Sequence, residues 1–122
     1  MDPGRYDFSI KPGQTFNKVL LYEDNTGNVK NLTGYRAKMQ FRETQSSQAI
    51  LTLTTENGKL VITGAQGKIE IKLTPEETRL ITKCKMYYDM DIYTVDGNGD
   101  MLNNYPFIEG IVKKRAEITK NV

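Results

Sequence analysis

The segment from residue 96 to residue 100 carries an oxygen-bearing side chain at every second position. Asp96, Asn98 and Asp100 therefore imitate the first ligands of a calcium-binding loop, which takes carboxylate and amide oxygens. The imitation stops early, because an EF-hand loop also requires a glycine at its sixth position and a carboxylate at its twelfth, and neither is present. A tight turn uses the same residue types for their backbone freedom. We therefore predict a turn here, with these three residues as a weak candidate for a metal site.

Arg36, Lys38 and Arg42 form a basic row on one strand face with Gln40, because these four residues alternate with apolar ones. This row, joined by the basic segment 113–115, could bind phosphate groups or an acidic protein surface. Such a row is more often a solvated sheet face, here with acidic residues on neighbouring strands as cross-strand pairs. The net charge is only +2, and no aromatic residues interleave the row for stacking on bases. We therefore predict no nucleic-acid partner.

Two carboxylate pairs are candidates for acid–base chemistry. Glu76 and Glu77 stand where the first turn of a capped helix explains both of them. Asp89 and Asp91 lie two residues apart on one strand face, without an accompanying base. The chain has no histidine and one cysteine, Cys84, so a catalytic triad, a Cys-His pair and a disulfide each lack a member. We predict no catalytic residue and no cofactor, and we expect Cys84 to be packed as a small hydrophobic residue.

The chain has the length and composition of one domain, residues 1–122. No apolar run approaches the roughly 20 residues of a membrane-spanning helix. The first residues show neither the basic nor the apolar part of a signal peptide. These features predict no membrane contact and a cytosol-like compartment.

The element that positions the basic row is a strand over residues 35–42. Its other face is apolar and consists of Tyr35, Ala37, Met39 and Phe41. A shift by one residue would bury the arginines, so the register of this strand is strongly set.

Alternation or β-branched composition predicts most of the other strands. They cover residues 6–10, 15–22, 50–54, 60–63, 68–73 and 85–95. Asn57-Gly58 predicts a tight hairpin between the strands at 50–54 and 60–63. A short strand from Met101 and a closing strand over 107–118 are expected next, with Pro106 as a break or an edge position.

Residues 74–81 give the only helical signal. Thr74 can cap the first turn, Pro75 suits the first helical position, and Glu77 holds the capping-box position. Eight or nine short strands with one helical connection predict an all-β protein, an antiparallel sandwich or barrel.

Several turn and strand motifs of this chain occur in the same order in a known group of proteins. The motifs are Asp7-Phe8-Ser9-Ile10-Lys11-Pro12-Gly13-Gln14-Thr15-Phe16, Asn31-Leu32-Thr33-Gly34-Tyr35, Ala37-Lys38-Met39-Gln40-Phe41-Arg42 and Leu73-Thr74-Pro75-Glu76-Glu77-Thr78. In this order the chain resembles the immunoglobulin-like structural domains of tailed bacteriophages, which include the N-terminal domain of baseplate upper proteins. The resemblance covers most of the chain and is strongest from residue 7 to residue 42. It implies an immunoglobulin-like antiparallel β-sandwich of about eight strands with one short connector helix.

The resemblance also implies a role. It points to a non-enzymatic structural component of a virion, an adaptor in the tail, baseplate or neck, with other phage structural proteins as partners and several symmetric copies. A capsid decoration protein is one alternative. A carbohydrate- or receptor-binding module is another, since Tyr87 and Tyr93 could stack on sugars, although packing within the sheet explains them better.

The strand at residues 15–22 is apolar on both faces, as expected when assembly buries a second surface. Phe16 lies on one face, and Val19 and Leu21 lie on the other. These three residues, the basic row of Arg36, Lys38 and Arg42, and the polar loop 43–48 are the predicted interface.

Overall fold

The structure is a computed structural model that describes residues 4–23 and 26–115. This part of the chain is mostly β-structure, as the sequence predicts. Its strands are β1 (Gly4–Arg5), β2 (Phe8–Ile10), β3 (Phe16–Leu21), β4 (Arg36–Arg42), β5 (Ala49–Thr54), β6 (Leu60–Thr63), β7 (Lys68–Leu73), β8 (Lys85–Val95) and β9 (Met101–Lys114). A 3₁₀ turn (Gly64–Gln66) precedes β7, and one helix, α1 (Pro75–Thr78), follows β7.

The strands form two sheets. The three-stranded sheet has the order β3-β7-β6, and the six-stranded sheet has the order β1-β9-β8-β4-β5 with β2 also on β9. The order β3-β7-β6 matches strands B, E and D of an immunoglobulin sandwich, and β9-β8-β4 matches G, F and C, with β5 as an additional strand beside β4. The predicted immunoglobulin-like β-sandwich is confirmed. One feature differs, because β1 and β2 run parallel to β9 and make the larger sheet mixed.

The core lies between the two sheets and is built from their inward-facing residues. In β4, Ala37, Met39 and Phe41 are almost fully buried, as predicted. Alternation along the other strands adds the rest of the core, which includes Phe8, Ile10, Leu20, Leu53, Leu60, Ile69, Ile71, Leu73, Met86, Tyr88, Met90, Ile92, Ile108 and Val112.

The predicted hairpin at Asn57-Gly58 is wrong in its pairing. A turn does form there, because Gly58 has a positive φ of 79° and the Asn57 side chain accepts from the Thr54 and Lys59 backbone N–H groups. However, β5 pairs with β4 and β6 pairs with β7, so this turn carries the chain from one sheet to the other.

The two predicted C-terminal strands are one strand. β9 runs without interruption through Pro106 and pairs with β8 from Met101 to Lys113, with two register shifts, one after Met90 and one after Thr94 of β8. Proline is tolerated because β9 has no described neighbour on its other side until Ile108, where β1 begins to pair. The part of the predicted closing strand beyond residue 115 lies outside the described residues.

The helix follows its capping signals. Thr74 accepts from the Glu77 backbone N–H at 3.2 Å, and Glu77 accepts from the Thr74 backbone N–H at 2.9 Å, which is a complete capping box. Beyond the helix, Cys84 is exposed, so its predicted packing is wrong. Its carbonyl accepts from the Lys114 backbone N–H, which fixes Cys84 at the rim of the sheet rather than in the core.

Candidate interaction surfaces

The outer face of the three-stranded sheet exposes apolar side chains. Val19 and Leu21 in β3 are 51% and 49% exposed, and Val61 in β6 is 38% exposed. Val19 and Val61 both lie opposite Glu70, one on each side of β7. We call Val19, Leu21 and Val61 the apolar patch. The sequence analysis did not predict Val61 as an interface residue. Because Leu60 and Ile62 on either side are expected to face the core, alternation would have placed Val61 on the outer face.

Phe16 has a different position from the other two predicted interface residues of β3. It is half-buried and packs against the core, with its ring edge-to-face on Phe8 at 5.8 Å between centroids. Alternation explains the difference, since Phe16 and Leu20 point inward where Val19 and Leu21 point outward. Of these three residues, Val19 and Leu21 are the ones available to a partner.

The basic row lies on the outer face of the six-stranded sheet, as predicted, and is partly neutralised. Arg36 forms an ion pair with Glu56 at 2.9 Å, and Arg42 lies 3.7 Å from Asp89. Lys38 is exposed and stands opposite Asp91 across the β4 and β8 pairing. The row is therefore part of a mixed-charge face rather than a continuous basic surface.

Glu56 links the basic row to Tyr93. The Tyr93 hydroxyl donates to Glu56 at 3.1 Å on the same carboxylate that receives Arg36. Burial opposes ionisation of Glu56, but hydrogen bonds from its own backbone, from Tyr93 and from Arg36 outweigh it and lower the pKa of Glu56. Burial and the hydrogen bond to Glu56 together raise the pKa of Tyr93.

A depression of about 410 Å³ lies on the same face, between β4, β8, β9 and the N-terminal segment. Charged side chains dominate its lining, which includes Arg5, Arg42, Lys85, Asp89 and Glu109. Asp89 and Glu109 stand directly opposite each other in β8 and β9, and Arg5 stands opposite Glu109 on the other side. Across the sheet, Arg5 is therefore followed by Glu109, Asp89 and the neutral Gln40, and Arg42 approaches Asp89 from a diagonal position in β4.

The carboxylate pair Asp89 and Asp91 belongs to this mixed-charge face. Burial raises the pKa of Asp89, the Arg42 guanidinium opposes that rise, and the Asp91 and Glu109 carboxylates add to it. Asp91 accepts a hydrogen bond from the Asn104 side chain at 3.3 Å. These contacts tie the carboxylates into the sheet surface.

Asp96, Asn98 and Asp100 form the turn between β8 and β9. The Asp96 carboxylate accepts from the backbone N–H groups of Asn98 at 2.8 Å and Asp100 at 3.0 Å, which closes the turn. Among residues 4–23 and 26–115, no group of three or more His, Cys, Asp or Glu side chains is placed to hold a metal ion.

Tyr87 and Tyr93 do not form an exposed aromatic pair. Tyr93 is only 8% exposed, because Arg36 and Glu56 cover it. Tyr87 is half-buried, and the Lys85 ammonium lies 5.5 Å from its ring centroid. The sheet-packing interpretation is confirmed for Tyr93, which leaves Tyr87 as the accessible ring of the two.

A third surface was not expected from the sequence. Residues 101–106 of β9 are all exposed, and Met101, Leu102 and Tyr105 are its large apolar side chains. The sequence analysis did not find this surface, because it assigned Met101 and Leu102 to a short strand separate from the closing strand, with Pro106 as a break or an edge position between them.

Comparison with known proteins adds no assignment to these surfaces. No protein-family model matches the chain, and no curated protein matches it at a significant level. In the part of the chain that the structure describes, no helix has the length and apolar character needed to cross a membrane.

Proposed function

We propose that this protein is a non-enzymatic structural component of a tailed-bacteriophage virion, an adaptor domain of the tail, baseplate or neck. The motif resemblance described above first suggests this role. The observation that carries it further is the apolar patch, where Val19, Leu21 and Val61 are exposed together on one sheet face. Exposed apolar side chains that cluster on a sheet face are typical of surfaces that a partner protein covers.

The arrangement of the patch suits a protein partner. Val19 and Val61 flank Glu70, whose carboxylate lies 3.9 Å from the Lys72 ammonium. Because Glu70 lies between the two valines, a partner that covers the patch would also cover this ion pair, and its polar groups would have to pair with the Glu70 carboxylate.

The experiment is cryo-electron microscopy of purified phage particles, combined with mass spectrometry of the same particles. The proposal expects this chain in the tail, baseplate or neck, with the apolar patch covered by a neighbouring protein. Density on the capsid surface would replace the adaptor role with the decoration alternative. Absence of the chain from the particles would contradict both.

A variant tests the patch itself. We expect Val19→Asp to reduce incorporation into particles about tenfold or more, because the interface would then bury an unpaired charge. Thr52→Asp is the matched control, since Thr52 is an exposed strand residue on the opposite sheet. Equal incorporation of the two variants, each correctly folded, would show that the apolar patch is not the contact.

A further inference from the structure

β9 has strand neighbours on both sides only over its C-terminal half. β8 pairs with it from Met101 to Lys113, whereas β1 begins opposite Ile108 and β2 continues to Lys114. Within residues 4–23 and 26–115, no strand pairs with the other side of β9 between Met101 and Phe107. Backbone N–H and C=O groups along such an edge can accept an additional strand.

The side chains of this edge do not protect it against pairing with another strand. Residues 101–108 carry no charge, whereas edge strands are commonly protected by charged side chains, lysine above all. Met101 and Leu102 are 53% and 60% exposed. Pro106 lacks a backbone N–H and so limits pairing at one end only. Residues 101–105 therefore form the open part, which we call the β9 edge.

The other sheet edges are better protected. β1 and β2 have only two and three residues, and β6 has four. β5 is half-buried along most of its length, and β3 carries Lys18. The β9 edge is the one that combines length, neutrality and exposure.

We propose that two copies of this chain associate by antiparallel pairing of their β9 edges across a two-fold axis. A neutral strand suits a second copy of itself, because identical charges would otherwise face each other near the axis. With the axis at Asn103, this residue faces its own symmetry mate, and the register irregularity of β9 at Leu102 lies directly beside the axis. Asp100 lies three residues from the axis, so no carboxylate meets its own symmetry mate.

This pairing deepens the proposed function, since it assigns the contact between symmetric copies. It is tested on the isolated chain, so that its failure leaves the virion role untouched. Sedimentation-velocity ultracentrifugation over a concentration series is expected to show a monomer–dimer equilibrium. A chain that stays monomeric at millimolar concentration would overturn the pairing.

Charge substitutions test whether the β9 edge is the contact in the dimer. Asn103→Lys and Asn103→Asp should each weaken the dimer about tenfold or more, because like charges meet at the axis. An equal mixture of the two variants should restore dimers. Asn17→Lys is the matched control, because Asn17 is an exposed strand residue on the other sheet. A dimer that Asn103→Lys leaves unchanged would overturn the proposal.

Cysteine trapping gives a direct readout. Cys84 is exposed, so the experiment uses a Cys84→Ser background. Adding Asn103→Cys should give a disulfide-linked dimer on mild oxidation, because residues facing each other across an antiparallel pair lie within disulfide range. Asn17→Cys in the same background should not. Equal cross-linking of both variants would show random collision instead of edge pairing.

Discussion

The two halves of β9 belong to one continuous strand and have opposite surroundings. In the C-terminal half, Ile108, Gly110 and Val112 are buried, and the strand lies between β8 and the N-terminal segment. In the N-terminal half, every residue from Met101 to Pro106 is exposed. Backbone pairing with β8 is shared by both halves, so it does not distinguish them.

The difference shows where the stability of this strand comes from. The buried half contributes apolar side chains to the core, whereas the exposed half relies on hydrogen bonds to β8 and a few side-chain contacts. Net hydrogen-bond contributions are small beside the burial of large apolar groups. The exposed half can therefore change sequence, or bind another strand, with little effect on the fold.

The largest expected effect on the free energy of unfolding comes from replacing a methionine by alanine, once at a buried site and once in the exposed half of β9. Met90 is fully buried in β8 opposite Ile108, and Met101 is 53% exposed in β9. Met90→Ala should lower the free energy of unfolding by about 2–5 kcal/mol. Met101→Ala should change it by less than about 0.5 kcal/mol.

Urea denaturation of dilute protein measures both changes without a contribution from association. Similar losses for the two variants would break the comparison, because the exposed half would then belong to the core.

An intermediate effect is expected at Gly110. A Cβ atom there would collide with the Tyr6 carbonyl oxygen and approach the Asp7 carboxylate, which accepts from the Ile111 backbone N–H at 3.0 Å. Gly110→Ala should therefore lower the free energy of unfolding by about 1–3 kcal/mol. It should also speed hydrogen exchange in β2.

Gly97→Ala is the control for this prediction. Gly97 has no positive φ, and a Cβ atom there would meet nothing within 4 Å. Its free energy of unfolding should change by less than about 0.5 kcal/mol. If Gly110→Ala were equally neutral, the N-terminal segment could not be packed tightly on β9.

The smallest expected effect on the free energy of unfolding concerns Asp89 of β8, which stands opposite Glu109, close to the boundary between the two halves of β9. Its pKa is raised in the folded protein, so the stability it contributes is lost as the pH rises from about 4 through the folded pKa. As the pH rises from about 3 to about 7, the free energy of unfolding of Asp89→Asn should therefore increase relative to that of the natural chain. The gain should stay below about 1 kcal/mol, because the Asp89 side chain is 59% exposed and screened by solvent.

Thermal melts across this pH range give the test. In an Arg42→Gln background the gain should increase, because Arg42 opposes the rise in the pKa of Asp89. A relative loss of stability for Asp89→Asn with rising pH would contradict the assignment.

Local patterns predicted much of this fold. The alternation around Met39 set the buried face of β4, and the Thr74 and Glu77 pair set the start of α1, since both depend on residues close in sequence. Sheet partners could not be predicted in this way. Asn57-Gly58 specifies a turn, but it does not determine whether the strands beside it pair with each other.

The surfaces were only partly predictable for the same reason. Alternation placed Val19 and Leu21 on an outer face, where they are exposed. It also placed Tyr93 on an outer face, but a distant loop brings Glu56 over it. The sequence predicts a break or an edge position at Pro106, and the edge position is the correct one; the two could not be distinguished because the tolerance of proline depends on what lies beside the strand.

The parallel pairing of β1 and β2 with β9 also has a mechanical consequence. Gly4 lies opposite Ile108, and Arg115 donates its backbone N–H to the Ile10 carbonyl at 2.8 Å, so Gly4 and Arg115 lie at opposite ends of this pairing. Tension applied between the segments before Gly4 and after Arg115 would act along both strands. The hydrogen bonds between β2 and β9 would then be sheared together instead of opening one at a time, which is the stronger geometry for carrying a load.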